Sequence, residues 1–377
     1  RPSSEGLLHS TAHGMLFPMT ELSPSRPQLV YLAFGAETYH QEALFSIASA
    51  LAWLRETPQA ELDIQVFCDN PQPYARLPVR VRILDEATRQ RWNAPHGYHF
   101  RAKHVALRKV LEESPVALLI DTDTFFHRSP VELFDRVQPG TLLCNDYYTR
   151  YGTNKENMLY SALSTTLRDR GLADDQMMLL NSGVIGLHQQ DAQVLDHSIA
   201  LIDELFPMAR GAYTLEEFCL SVAAYRSMQV KKCPDLIHHY WSRKQLFRAK
   251  VKAWVAKHAR NPTSQAALDD TRRVTMHLPR PPRSQRLLYK LITLALPAHL
   301  RQFIREILYG CYEHPNEFDQ ACGPVWWEKA LQNQEERLGK PVTQRLLERW
   351  FDRELVQLIL GSRCKAIHDH LLNSSCK

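Results

Sequence analysis

The sequence lacks several features that mark particular classes of protein. No run of about 20 apolar residues is present, so we expect no segment that spans a bilayer. The eight cysteines form no Cys-x-x-Cys pair, which argues against a structural zinc site and fits buried free thiols in a reducing compartment. No apolar core typical of a signal peptide precedes residue 29. We therefore expect a protein that is cytoplasmic, or peripheral on the inner face of a membrane.

Length and composition are ordinary for a folded protein. The chain has 377 residues, enough for two domains or for one large domain with an appendage, with 44% hydrophobic and 23% charged residues. The net charge of +5 is mild, but lysine and arginine clearly outnumber acidic residues from 231 to 286. This segment either faces phosphates or anionic lipid, or is a solvated basic face without a ligand. No nucleic-acid-binding motif accompanies it, so we expect no nucleic-acid partner.

Apolar patterns predict strands that alternate with helices over the first two thirds of the chain. This alternation predicts an α/β fold with a mostly parallel sheet flanked by helices, followed by a helical C-terminal region. We expect an N-terminal extension at 1–27, the α/β domain at 28–245 and the helical region at 246–377. Strands are predicted at 29–34, 62–70, 79–84, 116–120, 141–146 and 181–188, and helices at 40–55, 100–111 and 215–225.

The most informative stretch is VALLIDTDTFF at 116–126. Five aliphatic residues predict a buried strand, and Asp121 and Asp123 follow where that strand leaves the sheet. Ligands of open α/β sheets bind beyond the carboxyl ends of the strands, and two carboxylates there indicate a divalent cation, a shared proton or a basic partner. An isolated Asp-x-Asp also occurs in ordinary turns, where one aspartate caps the next segment.

In this context the Asp-x-Asp resembles the metal-binding motif of GT-A glycosyltransferases, and the resemblance extends over roughly residues 28–244. It is nearest to the retaining family that includes glycogenin and bacterial lipopolysaccharide galactosyltransferases. It implies a GT-A (Rossmann-like) fold and transfer of a sugar from a nucleotide-diphosphate donor, more often a UDP-sugar, to a hydroxyl of a glycan or lipid-linked acceptor. A Mn²⁺ or Mg²⁺ ion held by Asp121, Asp123 and a histidine would stabilise the diphosphate leaving group.

The resemblance assigns roles at several further places. HHYWSRK at 238–244 is similar to a segment that supplies a histidine ligand and a diphosphate-binding lysine, which implies His239 as the third ligand, with His238 as the alternative. This segment lacks the family's central glycine and the Pro-Trp after the lysine. Asn181-Ser182-Gly183 resembles a turn that frames the donor sugar. The residues implied to contact the donor are Phe34, Gly35, Asp69, Arg101, Lys103, Asp121, Asn181, Ser182 and Lys244.

Two adjacent glutamates are candidates for the catalytic role. Glu216 and Glu217 open a predicted helix, where GT-A enzymes hold an acidic residue that faces the acceptor. An inverting reaction needs a carboxylate to deprotonate the acceptor hydroxyl, whereas in a retaining reaction Glu217 would bind the sugar. Asp174-Asp175 offers the same chemistry from a loop. Acids at a helix N-terminus also occur simply because they complement the macrodipole.

The same residues also fit other functions. Residues 121–124 also fit the Asp-x-Asp-x-Thr of haloacid-dehalogenase-type phosphatases, in which the first aspartate is the nucleophile. That motif ends the first strand of its domain, whereas three predicted strands precede it here. A catalytically degenerate GT-A domain that acts as a binding protein is the non-enzymatic alternative. The segment 284–310 is amphipathic and basic, which predicts either peripheral membrane contact or helices that bury one face.

Overall fold

The chain folds as a seven-stranded sheet flanked by helices, followed by a group of C-terminal helices. The computed structural model describes residues 26–59, 61–209 and 211–375. The strands of this described part are β1 (Gln28–Ala33), β2 (Asp63–Cys68), β3 (Arg80–Ile83), β4 (Val116–Ile120), β5 (Thr124–Phe126), β6 (Thr141–Arg150), β7 (Met178–His188), β8 (Gln229–Lys232) and β9 (Ile237–His239).

Helices cover both faces of the sheet and make up the region beyond it. In chain order they are α1 (Glu37–Leu54), α2 (Glu86–Asn93), α3 (Arg101–Val110), α4 (Val131–Phe134), α5 (Met158–Asp169), α6 (Gln193–Leu205), α7 (Leu215–Ala224), α8 (Lys244–His258), α9 (Gln265–Thr271), α10 (Arg283–Ile292), α11 (Ala298–Gly310), α12 (Glu317–Gln320), α13 (Gly323–Leu338), α14 (Gln344–Phe351), α15 (Glu354–Leu360) and α16 (Cys364–Ser375).

The sheet is mostly parallel, with strand order β3-β2-β1-β4-β7-β6-β8. Four of its six strand pairings are parallel, and the two that involve β7 are antiparallel. The aliphatic runs of β1 and β4 lie next to each other at the centre, as expected for strands that are covered on both faces. β5 and β9 form a separate two-stranded ribbon.

The two faces of the sheet pack into two hydrophobic clusters. Because side chains of a strand alternate in direction, Leu29 and Tyr31 of β1 enter the α1 cluster, which includes Phe45 and Trp254, while Val30 enters the α3 cluster on the other face. The rings of Phe45 in α1 and Trp254 in α8 lie edge to face, with centroids 5.4 Å apart. Helix α8 is therefore part of the core beside the sheet.

A third hydrophobic group, the C-terminal cluster, lies among the helices after residue 282. Its buried members include Leu300, Phe303 and Ile307 of α11, packed with Trp350 and Phe351 of α14. The ring centroids of Phe303 and Trp350 are 5.3 Å apart. The helical character predicted for the C-terminal region is therefore present.

The fold class predicted from the sequence is confirmed, and β4 spans the predicted residues. One local prediction was wrong: Asn181-Ser182-Gly183 is not a turn but the interior of β7, paired with β6 and β4. The predicted boundary near residue 246 falls inside α8, whose apolar side chains pack in the α1 cluster. Residues 1–25 of the predicted extension lie outside the described residues. Among the described helices, none combines the length and apolar character needed to cross a bilayer.

Candidate active site

The carboxyl end of β4 places Asp121 and Asp123 in a short loop held from two sides. The backbone N–H of Asp121 donates to the carbonyl oxygen of Gly183 in β7, at 3.0 Å. The backbone N–H of Tyr240 donates to the carbonyl oxygen of Asp123, at 3.1 Å. Because β5 pairs with β9, the strand that carries His239 runs directly beside this loop. The backbone thus fixes the positions of both carboxylates.

The side chains of Asp121, Asp123 and His239 form a compact group of metal-ligand type. One ligand atom from each lies within 4.8 Å of the other two. Nε2 of His239 is 3.3 Å from an oxygen of Asp123 and 3.8 Å from an oxygen of Asp121. Two carboxylates and one imidazole can hold a divalent metal ion while leaving coordination positions for a ligand and water.

Asn181 orients the imidazole of His239 toward the carboxylates. Its side-chain oxygen lies 2.8 Å from Nδ1 of His239 and also accepts the backbone N–H of Gly183, at 3.1 Å. Because this oxygen is an acceptor, it can take a proton from Nδ1 and leave Nε2 directed at the two aspartates, where Nε2 can donate to Asp123 or, in the neutral ring, bind a metal ion. Such partners of a metal-binding histidine fix its tautomer and direction.

Gly183 provides the space for this ring. A Cβ at position 183 would lie 2.1 Å from Nδ1 of His239, far inside any normal contact. The ring of His239 therefore packs directly on the backbone of β7, where only glycine leaves room for it.

His238 is directed away from the carboxylates. Its ring packs against Phe125 and Phe247, with centroid distances of 5.3 and 5.2 Å. Burial lowers the pKa of His238 to about 4, as expected for an imidazole in apolar surroundings. Adjacent residues of a strand point to opposite faces, so only His239 reaches the aspartates.

Lys103 is a buried cation bound by protein groups. Its Nζ lies 2.9 Å from an oxygen of Asp121 and 3.0 Å from an oxygen of Glu216, and it donates to the hydroxyl of Ser182 at 2.9 Å. Burial alone would lower the pKa of Lys103, but the two carboxylates raise it above its ordinary value. Lys103 therefore stays charged and links α3, β4, β7 and α7.

Lys244 is the second cation at the aspartates, and it is more accessible. Its Nζ is 2.9 Å from an oxygen of Asp123, and its side chain is 36% exposed. Burial would raise the pKa of Asp123, but His239 and Lys244 outweigh burial and lower it below the ordinary value. Asp123 is therefore ionised, which is the state in which a carboxylate can bind a metal ion.

Glu217 faces the cavity with an elevated pKa. The backbone N–H of Ser182 donates to its carboxylate at 3.3 Å. Burial and the negative charge of Glu216 raise the pKa of Glu217 to about 8, although Lys103 opposes the increase. Glu216 is itself buried against Lys103 and is directed into the ion-pair network.

These groups line one cavity of about 840 Å³. Its wall combines the charged residues above with aromatic side chains. Within the described part of the chain, every phenylalanine, tyrosine or tryptophan that is exposed lies on this cavity: Tyr39, Tyr148, Tyr213 and Trp241. The predicted site residues that line it are Phe34, Lys103, Asp121, Asp123, Asn181, Ser182, Glu216, Glu217, His239 and Lys244.

Two predicted residues lie just outside the cavity wall. The backbone N–H of Gly35 donates to a carboxylate oxygen of Asp69 at 2.8 Å, and the other oxygen of Asp69 lies 3.1 Å from Nε2 of His40. Gly35 has φ of +90°, a conformation that favours glycine after a strand. These contacts join the ends of β1 and β2 beside Phe34, which does line the cavity.

Arg101 is not brought to the cavity. Its guanidinium forms a bidentate pair with Asp203 of α6, at 2.7 and 2.8 Å, and also donates to the carbonyl oxygen of Trp92. Residues two apart on a helix point about 200° apart, so Arg101 and Lys103 of α3 cannot both face the same site. The expectation that both bind the diphosphate is corrected for Arg101.

Sequence reasoning missed Glu42 of α1, which lines the cavity with a fully buried side chain. Its carboxylate accepts from Arg248 of α8 at 2.9 Å. Burial raises the pKa of Glu42 even though Arg248 opposes this. The available signal was an acidic residue directly before the mainly apolar helical residues 43–54.

Comparison with solved structures finds glycosyltransferases. Mouse xyloside xylosyltransferase 1 in its apo form aligns with 56% of this chain and 85% of its own, at 14% identity and a TM-score of 0.41. The WbbM bifunctional glycosyltransferase aligns with 59% of this chain and 40% of its own (16% identity, TM-score 0.39). The galactosyltransferase LgtC, in complex with donor and acceptor sugar analogs, aligns with 67% of this chain and 97% of its own (13% identity, TM-score 0.41).

No protein-family model matches the sequence, and comparison with curated protein sequences finds no significant match. At identities of 13–16% and TM-scores near 0.4, the structural similarities do not by themselves establish a function.

Proposed function

We propose that the protein is a metal-dependent glycosyltransferase that moves a sugar from a nucleotide-diphosphate donor, of the UDP-sugar type, to a hydroxyl of a glycan or lipid-linked acceptor. The observation that carries the proposal is the group formed by Asp121, Asp123 and His239, with Lys244 beside it. This group lies beyond the carboxyl end of a central strand, in a cavity large enough for a nucleotide sugar.

The donor set fits Mn²⁺ better than Mg²⁺. Magnesium demands oxygen ligands in near-ideal octahedral geometry, whereas manganese also accepts an imidazole. When bound, the ion would neutralise negative charge on the diphosphate as the bond to the sugar breaks. Asn181 holds the ring of His239 in the tautomer that such an ion needs.

Lys244 is the side chain best placed to contact the diphosphate. It is partly exposed, and its one salt bridge within the described residues is to Asp123, so a phosphate oxygen can take over that contact. Lys103 is fully engaged by Asp121, Glu216 and Ser182, so its role is to hold Asp121 and Ser182 in position rather than to bind the donor directly.

Glu217 is the proposed acid–base group facing the acceptor. Its carboxyl is on the cavity wall, and a pKa of about 8 lies close to the working range of a general base. Glu216 has no comparable freedom because it pairs with Lys103. The four exposed aromatic residues offer flat apolar faces for the base and the sugar rings.

Calorimetric titration of UDP and UDP-sugars with and without Mn²⁺ tests the proposal. We expect UDP to bind in the presence of Mn²⁺ and to lose at least 100-fold in affinity in Asp123→Asn. The matched control is Asp235→Asn, which removes an exposed carboxylate that pairs with Arg136 away from the cavity and should leave UDP affinity unchanged. Equal UDP binding with and without metal, or binding of phosphate and vanadate instead of UDP, would overturn it.

A further inference from the structure

Helix α10 presents an apolar surface that no described part of the chain covers. None of its residues is buried. Leu287 is 59% exposed, Leu288 46%, Leu291 56% and Ile292 39%. At about 100° per residue these four side chains share one side of the helix. Leu294, just beyond the helix, is 51% exposed and extends the same apolar region.

The neighbouring helix shows what a packed face looks like in the same segment. In α11 the apolar residues Leu300, Phe303, Ile304 and Ile307 are completely buried in the C-terminal cluster. Helix α10 touches that cluster through half-buried Tyr289, on a different side from its leucines. The amphipathic segment 284–310 therefore divides into a helix that packs against the protein and one whose apolar side is unpaired.

Basic residues flank this apolar side. Residues 271–305 contain eight lysines and arginines and no aspartate or glutamate, and of these Arg272 and Arg273 pair with acidic residues outside the range. Arg283 and Lys290 are exposed, and Arg286 is partly exposed, along one edge of α10. Within the described residues, none of these three forms a salt bridge. An apolar side bordered by unpaired cations is complementary to a bilayer surface, where acyl chains lie beneath anionic headgroups.

We propose that α10 and Leu294 form a docking surface for a bilayer that contains anionic lipid. The leucines would enter the boundary between headgroups and acyl chains, and Arg283, Arg286 and Lys290 would contact lipid phosphates. A second copy of the chain fits less well, because a symmetric contact would bring the same basic residues of both copies together. The proposal stands on the C-terminal helices and does not depend on the proposed transferase activity.

Co-sedimentation of the full chain with lipid vesicles tests this surface. We expect binding to vesicles of phosphatidylcholine mixed with phosphatidylglycerol, little binding to phosphatidylcholine alone, and weaker binding as salt increases. Leu287→Ser combined with Leu291→Ser should reduce the affinity for the mixed vesicles at least 10-fold. Lys290→Glu should reduce it about 5-fold. Ile83→Ser, which changes a side chain 60% exposed on β3, is the matched control and should bind like the wild type.

Three results would overturn the proposal: no binding to either vesicle, equal binding to both, or a dimer in sedimentation velocity that becomes monomeric in the double leucine variant. The last would assign the surface to a second copy. The leucines are exposed, so the variants should keep the wild-type melting temperature and the same affinity for UDP with Mn²⁺. If neither the wild type nor any variant binds UDP, the proposed function is rejected, while the vesicle result still tests the docking surface.

Discussion

At the scale of single residues, Gly183 decides whether His239 can face the aspartates. Gly183→Ala places a methyl group where the imidazole now lies, so the ring must move. We expect Mn²⁺ affinity, measured by calorimetry, to fall about 10- to 100-fold, as when the support of a metal ligand is lost. Gly186→Ala is the matched control on β7, because its new Cβ would crowd Val137 at 3.0 Å, away from the site. If both variants bind Mn²⁺ like the wild type, His239 is not a ligand.

Glu217 makes the stability of the metal-free protein depend on pH. Its pKa is about 8 in the folded chain, against an ordinary value of 4.5, so the folded state holds the proton more tightly. The stabilising contribution is therefore fully present below about pH 4.5 and is lost as pH rises to about 8. Urea unfolding in EDTA between these values should show a smaller decline in the free energy of unfolding for Glu217→Gln. An identical slope in the variant would contradict this.

The individual residues of the site were only partly predictable from sequence. Asp121, Asp123, His239 and Lys244 belong to two short motifs, and the structure brings these two motifs together. The motifs could not show which of two neighbouring residues has which role. The burial of Glu216 against Lys103, and the position of half-buried Glu217 on the cavity wall, depend on which face of α7 is directed toward Lys103. That arrangement is set by packing between elements distant in sequence.

At the scale of secondary-structure elements, α3 separates two cations that lie two positions apart. Arg101→Ala removes the bidentate pair with Asp203 and should lower the free energy of unfolding by about 1–2 kcal/mol. UDP affinity should stay within about twofold of the wild type, since Arg101 does not line the cavity. Chemical denaturation and calorimetry measure the two quantities. A large loss of UDP affinity with unchanged stability would restore the role predicted from sequence.

Lys103→Met is the contrasting substitution on the same helix. It leaves Asp121 and Glu216 without their buried cation, and we expect a cost of about 3–5 kcal/mol in unfolding free energy. UDP affinity should fall as well, because Asp121 loses the group that holds it. A variant as stable as the wild type would show that the network contributes little.

The elements themselves were predicted best where their pattern was purely apolar. β4 was located to the residue because five aliphatic side chains are bounded by a proline and an aspartate. β7 begins at Met178, three residues before its predicted start, and pairing with β6 keeps the turn-like Asn181 within the strand. The short strands β5 and β9 were missed altogether. These two strands are stabilised by pairing with each other, and their own sequences show no clear strand pattern.

At the scale of the whole molecule, the α1 cluster and the C-terminal cluster should respond differently to ligands. Trp254→Ala and Trp350→Ala each remove a buried indole and should cost about 3–5 kcal/mol. Only Trp254 packs α8, the helix that begins with Lys244, against α1. We therefore expect Trp254→Ala alone to weaken binding of UDP with Mn²⁺.

Differential scanning calorimetry with and without UDP and Mn²⁺ measures this difference. Ligands that bind only the folded cavity should raise the temperature of the transition that Trp254→Ala lowers. They should have less effect on a transition that Trp350→Ala lowers. One transition, shifted equally by both variants and by the ligands, would show that the two clusters unfold together.

Because Trp241 lies on the cavity wall, its fluorescence can report binding in the cavity. It is 52% exposed on the cavity wall, whereas the other six tryptophans are buried or partly buried. Its emission should therefore be the most sensitive to solvent, to iodide and to a nucleotide base stacked beside it. Quenching that saturates with UDP, and that Trp241→Phe abolishes, would report occupancy of the cavity without any label. The same signal would then allow donors to be ranked by the sugar they carry.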